Sequence, residues 1–304
     1  MLFRSAPAQP RRLRDLLSQD FLARLDALDV MSRRILQGKL QGERRSKQRG
    51  RSVEFADHRP YAVGDDLRLI DWNTFARLDQ LFLKLFLEEQ DLTVHLLLDC
   101  SLSLSSGQSG KDAFARKLAA ALGYVALVNN NRLTLSAFAD GLAAQAENLR
   151  GRPSTRRLAE FLFSLPQGRA SDFDKACRQF QAARAGSGVM IVISDFLFKN
   201  GYEDALTRLL SPAYDLYAIQ VLSPQEIQPE LTGDLRLVDV EDGEIAEITV
   251  TAPLMTHYRR MLAAYCDQID RFCTRRGAAY VRANSADSVE TLVLTTLRRR
   301  GLLK

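Results

Sequence analysis

The run Val94-His95-Leu96-Leu97-Leu98-Asp99-Cys100-Ser101-Leu102-Ser103 decides how this chain is read. Residues 94–98 are apolar apart from one histidine, and short, as expected of a strand buried on both faces. An acid closes the run, and two hydroxyls follow at alternate positions. Residues 104–110, rich in serine and glycine, come next. A buried strand that ends in oxygen donors is suited to a hard cation of the Mg2+ type.

Reading outward toward the C-terminus, strand-like and helix-like patterns alternate. This is the signature of a mostly parallel sheet with helices on its faces. The spacing predicts a helix over 111–129, with Phe114, Leu118, Leu122 and Val125 on one stripe, and a strand over 132–139. An edge hairpin is expected at 141–147. Helices follow at 154–165, capped by Ser154 or Thr155, and at 171–185, with Ser171 or Asp172 at its start. Residues 189–195, Val-Met-Ile-Val-Ile-Ser-Asp, repeat the opening theme: a buried strand that ends in an acid, Asp195. A helix at 202–210 and a strand at 215–222 follow. Strands at 235–240 and 244–249 flank Glu241-Asp242-Gly243, where Asp-Gly marks a hairpin turn. A long amphipathic helix over 253–275, a last strand at 278–282 and a terminal helix over 287–299 complete the chain.

Reading outward toward the N-terminus, residues 81–88 form a nearly continuous apolar run, read as a strand leading to the next at 92–99. Residues 53–84 are dense in acids, arginines and aromatics, with Pro60 and Gly64 as turns. Arg59, Arg68 and Arg77 are expected to pair with acids such as Glu54, Asp57, Asp65, Asp66 and Asp71, locking an irregular segment. Residues 44–51 form a basic loop containing Arg44, Arg45, Lys47, Arg49 and Arg51. It lacks interleaved aromatics for base stacking and is read as a solvated loop. Residues 11–40 carry an amphipathic stripe, Leu13, Leu16, Leu17, Phe21, Leu25 and Leu28, predicting a helix. The expected organisation is a helical segment over 1–40, an irregular and β segment over 41–90, and an α/β domain over 91–304.

Composition narrows the function classes. A net charge of +5 in 304 residues is mildly basic, short of a dedicated nucleic-acid binder. No apolar run is long enough to span a bilayer, and residues 1–14 lack the apolar core of a secretory signal, so a cytoplasmic location is expected. The four cysteines, Cys100, Cys177, Cys266 and Cys273, lack metal-binding spacing and are read as reduced core thiols. The three histidines, His58, His95 and His257, suggest no Ser-His-Asp constellation, and no phosphate-cradling Gly-rich motif with lysine exists.

In open α/β sheets, ligands gather at the carboxyl ends of the strands, where strand order reverses. If the strands ending in Asp99 and Asp195 are neighbours, their carboxylates repel, and a divalent ion relieves the conflict. Ser101 and Ser103 add neutral oxygens. The same residues would serve as a helix cap or a turn, but the second strand-ending acid favours the cation.

The stretch Asp99-x-Ser101-x-Ser103, with the distant Asp195, resembles the metal-ion-dependent adhesion site of von Willebrand factor A-like domains. In that motif a distant hydroxyl lies between the two elements. Ser171, in Ala170-Ser171-Asp172-Phe173, is the candidate, with Thr155 as the alternative. Upstream, three stretches resemble the signature of the domain of unknown function 58 family. They are Gly50-Arg51-Ser52-Val53-Glu54-Phe55, Arg59-Pro60-Tyr61-Ala62-Val63-Gly64-Asp65-Asp66 and Ile70-Asp71-Trp72-Asn73. Arg51, Glu54, Arg59, Tyr61, Gly64, Asp65, Asp66, Asp71 and Trp72 carry that signature.

The resemblance implies a von Willebrand factor A-like, doubly wound, mostly parallel α/β fold with an irregular N-terminal extension. It implies Mg2+, Mn2+ or Ca2+ held by Asp99, Ser101, Ser103, Ser171 and Asp195. It also implies a MoxR-type AAA+ ATPase and client proteins as partners, with a chaperone-like role. Three functions are then weighed. A binding module accepting a partner's Asp or Glu carboxylate is preferred. A metal-dependent hydrolase at Asp99 and Asp195 is an alternative, although Asp-x-Asp phosphatases need an acid where Ser101 stands. Nucleic-acid binding through 44–51 is the third, and it predicts a steep salt dependence.

Overall fold

The computed structural model describes residues 12–32, 53–62, 64–65, 67–88, 92–105, 110–166, 168, 171–183, 188–212, 214–239, 241 and 243–304. Residues 39–91 form one compact unit, and residues 1–38 with 92–304 form the other.

The N-terminal stripe is real, but it does not make one helix. A single 3-10 turn, Leu13–Asp15, precedes α1, Gln19–Leu25. Ser18 separates the two because its hydroxyl accepts the Phe21 N–H at 3.2 Å, which starts a new helix there. Beyond Leu25 the chain leaves the helix, and Val30 bridges to Leu303. Leu13, Leu17, Phe21, Leu25 and Leu28 are all buried. Residues 33–40 lie outside the described set.

In the unit of residues 39–91, β1 (Val53–Pro60) precedes a short helix, α2 (Trp72–Leu78), and then β2 (Phe82–Glu88). β2 is the expected strand. Its partner is β1, in an antiparallel pair running from Pro60↔Phe82 to Val53↔Glu88.

In the larger unit, β3 (Thr93–Asp99) leads through a one-turn helix, α3 (Leu102–Ser105), into the long α4 (Lys111–Val128). β4 (Arg132–Phe138) returns parallel to β3, and β5 (Leu142–Leu149) turns back antiparallel at the edge. Helices α5 (Thr155–Ser164) and α6 (Phe173–Ala183) lead to β6 (Gly188–Ser194) on the other side of β3. Then come α7 (Glu203–Leu209), β7 (Tyr214–Leu222) and a short α8 (Pro224–Ile227). A hairpin of β8 (Gly233–Val238) and β9 (Ile245–Val250) precedes α9 (Ala252–Arg275) and β10 (Ala279–Asn284). The last helix, α10, starts at Val289–Thr291 and widens into a π-turn over Leu292–Leu297.

The six-stranded sheet has the order β10-β7-β6-β3-β4-β5, parallel except for β5. The doubly wound, mostly parallel α/β sheet expected from the sequence is therefore present. Strand alternation explains its two covered faces. Val94, Leu96, Leu98, Val189, Ile191 and Ile193 pack in the core with α1, α4, α5 and α10. Leu97, Met190 and Val192 pack in the other, with Phe180 of α6, Leu206 of α7 and Ile269 of α9. Alanines at 115, 119, 120, 121 and 126 let α4 be buried almost all round.

Neither candidate for the predicted cap of α5 caps it. Ser154 Oγ donates to the Arg150 carbonyl and Thr155 Oγ1 to the Arg152 carbonyl. At α6, Asp172 does cap, accepting the Lys175 N–H at 2.9 Å. All four cysteines are free and buried. His95 is also buried, with Nε2 3.1 Å from the Tyr214 hydroxyl.

Candidate metal centre at the sheet switch point

After β3 the chain goes to β4 on one side, and later to β6 on the other. The carboxyl ends of β3 and β6 therefore flank the reversal of strand order, where such sheets open a crevice. Leu98 is in register with Ile193, so Asp99 and the Ser194-Asp195 pair emerge side by side. Both acids are about 1% exposed.

Asp99 folds its own loop. Its Oδ1 accepts the Ser101 N–H at 2.9 Å and the Ser101 hydroxyl at 2.6 Å, an Asp-led turn. Its Oδ2 accepts the Ser194 hydroxyl at 2.7 Å, tying β3 to β6. Ser101 Oγ and Ser103 Oγ lie 2.9 Å apart. Asp195 builds a similar turn, accepting the Leu197 N–H on Oδ1 at 3.1 Å. Gln220 of β7 anchors that turn by donating to the Asp195 carbonyl at 2.7 Å.

A lysine completes the cluster, and sequence reasoning passed over it. Lys111 opens α4, yet it is about 2% exposed. Its ammonium donates to Asp195 Oδ2 at 2.9 Å and to Glu226 Oε1 at 2.5 Å. Glu226 is held by a reciprocal cap with Ser223 and by the Tyr258 hydroxyl, which donates to its carbonyl. The available signal was a lysine in the first turn of a helix, where the dipole disfavours positive charge. Such a lysine needs acids to hold it.

Ser171 sits in the loop before α6. The Gly168 N–H donates to the Cys100 carbonyl and the Asp172 N–H to the Ala139 carbonyl, which lays this loop along the ends of β3 and β4. The Ser171 hydroxyl oxygen is buried and has no hydrogen-bond partner among the described residues. Its N–H donates to Glu241 Oε2 at 3.3 Å. Glu241 lies in the turn between β8 and β9, and the Ser103 hydroxyl also hydrogen-bonds to it. In the sequence, Glu241 had been only part of a turn.

Electrostatics follow from the burial. Asp99 is pushed up to about 7, first by desolvation and then by the charge of Asp195, with hydrogen bonds from Ser101 and Ser194 opposing. Burial likewise raises Glu241, opposed by hydrogen bonds from Ser103 and Ser171. Burial disfavours the charge on Lys111, but Asp195 and Glu226 outweigh it and its pKa is raised. Asp195 and Glu226 thus share the Lys111 ammonium, while burial disfavours the charged forms of Asp99 and Glu241.

The donor set suits a hard divalent ion, whose charge would favour the ionised forms of these acids. Every donor is oxygen, and the buried Ser171 hydroxyl has an unused oxygen beside the cluster. Asp195 Oδ2 is already paired with the Lys111 ammonium, whereas the Asp99 oxygens accept only neutral donors, so Asp195 offers the cluster mainly its charge.

Other predicted residues lie elsewhere. Thr155 makes its hydroxyl contact with Arg152 at the start of α5, while Ser171 shares Glu241 with Ser103. In the unit of residues 39–91, Arg59 pairs with Asp65 at 2.7 Å, as expected, and Asp65 also accepts the Ala62 N–H. Asp71 pairs with His58 at 2.7 Å. It also caps α2 by accepting the Asn73 and Thr74 N–H groups. The His58 hydrogen bond is the main reason that its carboxyl sits well below the usual range. Arg77 is exposed and has no ion-pair partner among the described residues. Trp72 is 62% exposed, Tyr61 is half-buried, and Gly64 has φ +106°. Glu54 lies on β1, paired with Leu87. Arg51, Asp66 and the basic loop 44–51 lie outside the described residues.

The molecule is thus a mixed α/β protein with a cluster of acids, serines and one lysine at the switch point of a mostly parallel sheet. The family model described as "Protein of unknown function DUF58" matches residues 57–268, and the chain belongs to that family. Among similar proteins, the uncharacterized protein Mb1516 of Mycobacterium bovis is 27% identical over 303 residues, covering 97% of this chain and 95% of its own. Among solved structures, the conserved hypothetical protein BatB of Bacteroides thetaiotaomicron aligns at 15% identity with a TM-score of 0.41, covering 68% of this chain and 98% of its own. The ArnB paralog VWA2 of Sulfolobus acidocaldarius aligns at 15% identity with a TM-score of 0.31, covering 46% of this chain and 37% of its own. Among the described residues, no helix is long and apolar enough to cross a membrane.

Proposed function

We propose that this protein is a metal-dependent protein-docking module. The observation that carries the reading is the meeting of Asp99, at the end of β3, and Ser101 and Ser103, just after it, with Asp195 after β6, beside the Ser171 hydroxyl, which has no partner among the described residues. Asp99, Ser101, Ser103 and Ser171 would hold Mg2+, or Mn2+ or Ca2+ in its place, and Asp195 would add charge. A bound ion would supply positive charge with an exchangeable position for a partner's Asp or Glu carboxylate. Selectivity would then come from the loops around the crevice.

Lys111 has a positioning role in this reading. Its ammonium holds Asp195 and Glu226 in place, and the buried pairing leaves it no proton-transfer task. The family resemblance suggests the partner class, a MoxR-type AAA+ ATPase acting with client proteins. The test is an affinity pull-down of such an ATPase in Mg2+ and in EDTA, with wild type and Asp99→Ala. Capture in Mg2+ alone, lost in the variant, is the expected result. Equal capture under all four conditions would overturn the proposal.

A further inference from the structure

The β8–β9 hairpin brings a carboxylate of this chain to residues that the docking reading assigns to holding the ion. Glu241 Oε2 accepts the Ser171 N–H at 3.3 Å, and the Glu241 side chain also accepts a hydrogen bond from Ser103. Ser103 and Ser171 are two of the four proposed ion-holding residues, and they come from separate loops. We propose that Glu241 is the site's own occupant: a latch that fills the incoming carboxylate's place until a partner displaces it. This inference rests on the docking reading above.

The hairpin is built to be moved. Leu235 and Ile248 face one another half-buried, Val250 is buried, and the rest of both strands is exposed. A two-stranded ribbon with so little covered surface is marginally stable by itself. The tip is shaped locally: the Asp239 N–H donates to the Glu244 carbonyl, the Gly243 N–H to the Asp239 carbonyl, and the Glu241 N–H to Asp239 Oδ1. Gly243, at φ +77°, permits that turn. Lys199 and Glu241 both tie the tip down. The Lys199 ammonium lies 2.9 Å from Asp239 and 3.6 Å from Glu244, on the exposed side. Glu241 reaches the cluster. A surface ion pair such as that of Lys199 is a weak restraint, and the part-buried Glu241 contacts add to it.

Chemistry favours exchange at this point over permanent closure. Burial first, and then the charges of Asp195 and Asp239, act against the ionised form of Glu241. Its carboxylate is held by one hydroxyl and one long amide hydrogen bond. A partner's Asp or Glu presenting the same group needs only to match those contacts. The hairpin then swings out at little cost.

The test compares full-length wild type with Glu241→Ala by amide hydrogen exchange, with and without Mn2+. The water-proton relaxivity of bound Mn2+ is the second readout. In the variant, the Ser171 amide and the turn amides of Asp239 and Gly243 should exchange about tenfold faster or more, while the β6 amides keep their protection. Bound Mn2+ should relax water more strongly in the variant, because a position held by carboxylate passes to water. Unchanged exchange at Ser171 and the turn, or equal relaxivity with Mn2+ bound to both proteins, would overturn the latch. If neither protein binds Mn2+, the metal reading fails, and the exchange comparison alone decides the latch. Faster exchange then supports a latch on the hydroxyl loop, and equal exchange overturns it.

Discussion

Lys111 and Asp195 are joined 84 residues apart in sequence by a 2.9 Å ion pair in which each side chain is 2% exposed. The pair ties the start of α4 to the end of β6, and through Glu226 it reaches α8. A buried ion pair adds little over an apolar alternative, but removing one partner strands the other charge.

Lys111→Met should therefore destabilise the protein by about 3–5 kcal/mol, because it leaves Asp195 buried without its counter-ion. Urea denaturation measures this. Adding Asp195→Asn to Lys111→Met should recover part of the loss, since the two changes couple. A single variant as stable as wild type would show that the pair does not hold this end of the sheet.

Asp99 makes stability depend on pH in a stated direction. Its folded pKa is raised to about 7 from an ordinary value of 3.8, chiefly by burial. Below about pH 4, both the folded and unfolded forms are protonated and there is no penalty. As pH rises toward 7, the unfolded chain releases this proton while the folded protein keeps it, so stability falls. The full contribution above pH 7 is up to roughly 4 kcal/mol. In EDTA, Asp99→Asn should flatten that fall and exceed wild type in Tm at about pH 8. Added Mg2+ should raise the Tm of wild type and leave that of the variant unchanged.

Asp71 carries the opposite sign in the unit of residues 39–91. Its folded pKa is depressed, mainly by the His58 hydrogen bond, so it stabilises above the ordinary carboxyl pKa and loses that effect as pH falls through the acid range. Asp71→Asn weakens the His58 contact and the cap of α2 at any pH. Faster protease cleavage between residues 53 and 88 is expected in the variant. Wild type should approach that rate on acidification, and equal rates throughout would show that neither contact matters.

Gly188 opens β6 at φ +154°, and a Cβ there would lie 2.0 Å from the Thr93 carbonyl oxygen of β3. Gly188→Ala must push the two central strands apart, at a cost of about 3 kcal/mol or more. Loss of protection in amide exchange should start at the Thr93↔Gly188 end of the pair. A crystal structure of the variant with unchanged strand spacing would refute this.

Much of the site was legible before folding was considered. Asp99, Ser101 and Ser103 stand within five residues, and Asp-led turns form from local sequence, so their grouping is a short-range property. Asp195 was legible because a second apolar run ends in an acid. Lys111, Glu226 and Glu241 were not, since each looks locally like an ordinary helix start, short-helix acid or turn residue. The N-terminal stripe misled in the opposite way. Its apolar spacing is genuine and its residues are buried, but Ser18 broke the helix through a single hydroxyl that periodicity does not weigh.

The sequence by itself determined the alternation of strands and helices, because burial on one or both faces imposes a period that composition records directly. It also determined which strands end in oxygen donors. Only the tertiary structure decided that β3 and β6 are neighbours, that a lysine neutralises part of their charge, and that a hairpin glutamate reaches Ser103 and Ser171. Those are pairings between residues tens to more than a hundred positions apart. Their selection depends on sheet order and on the cost of burying unpaired charge, and neither is a property of any local stretch of chain.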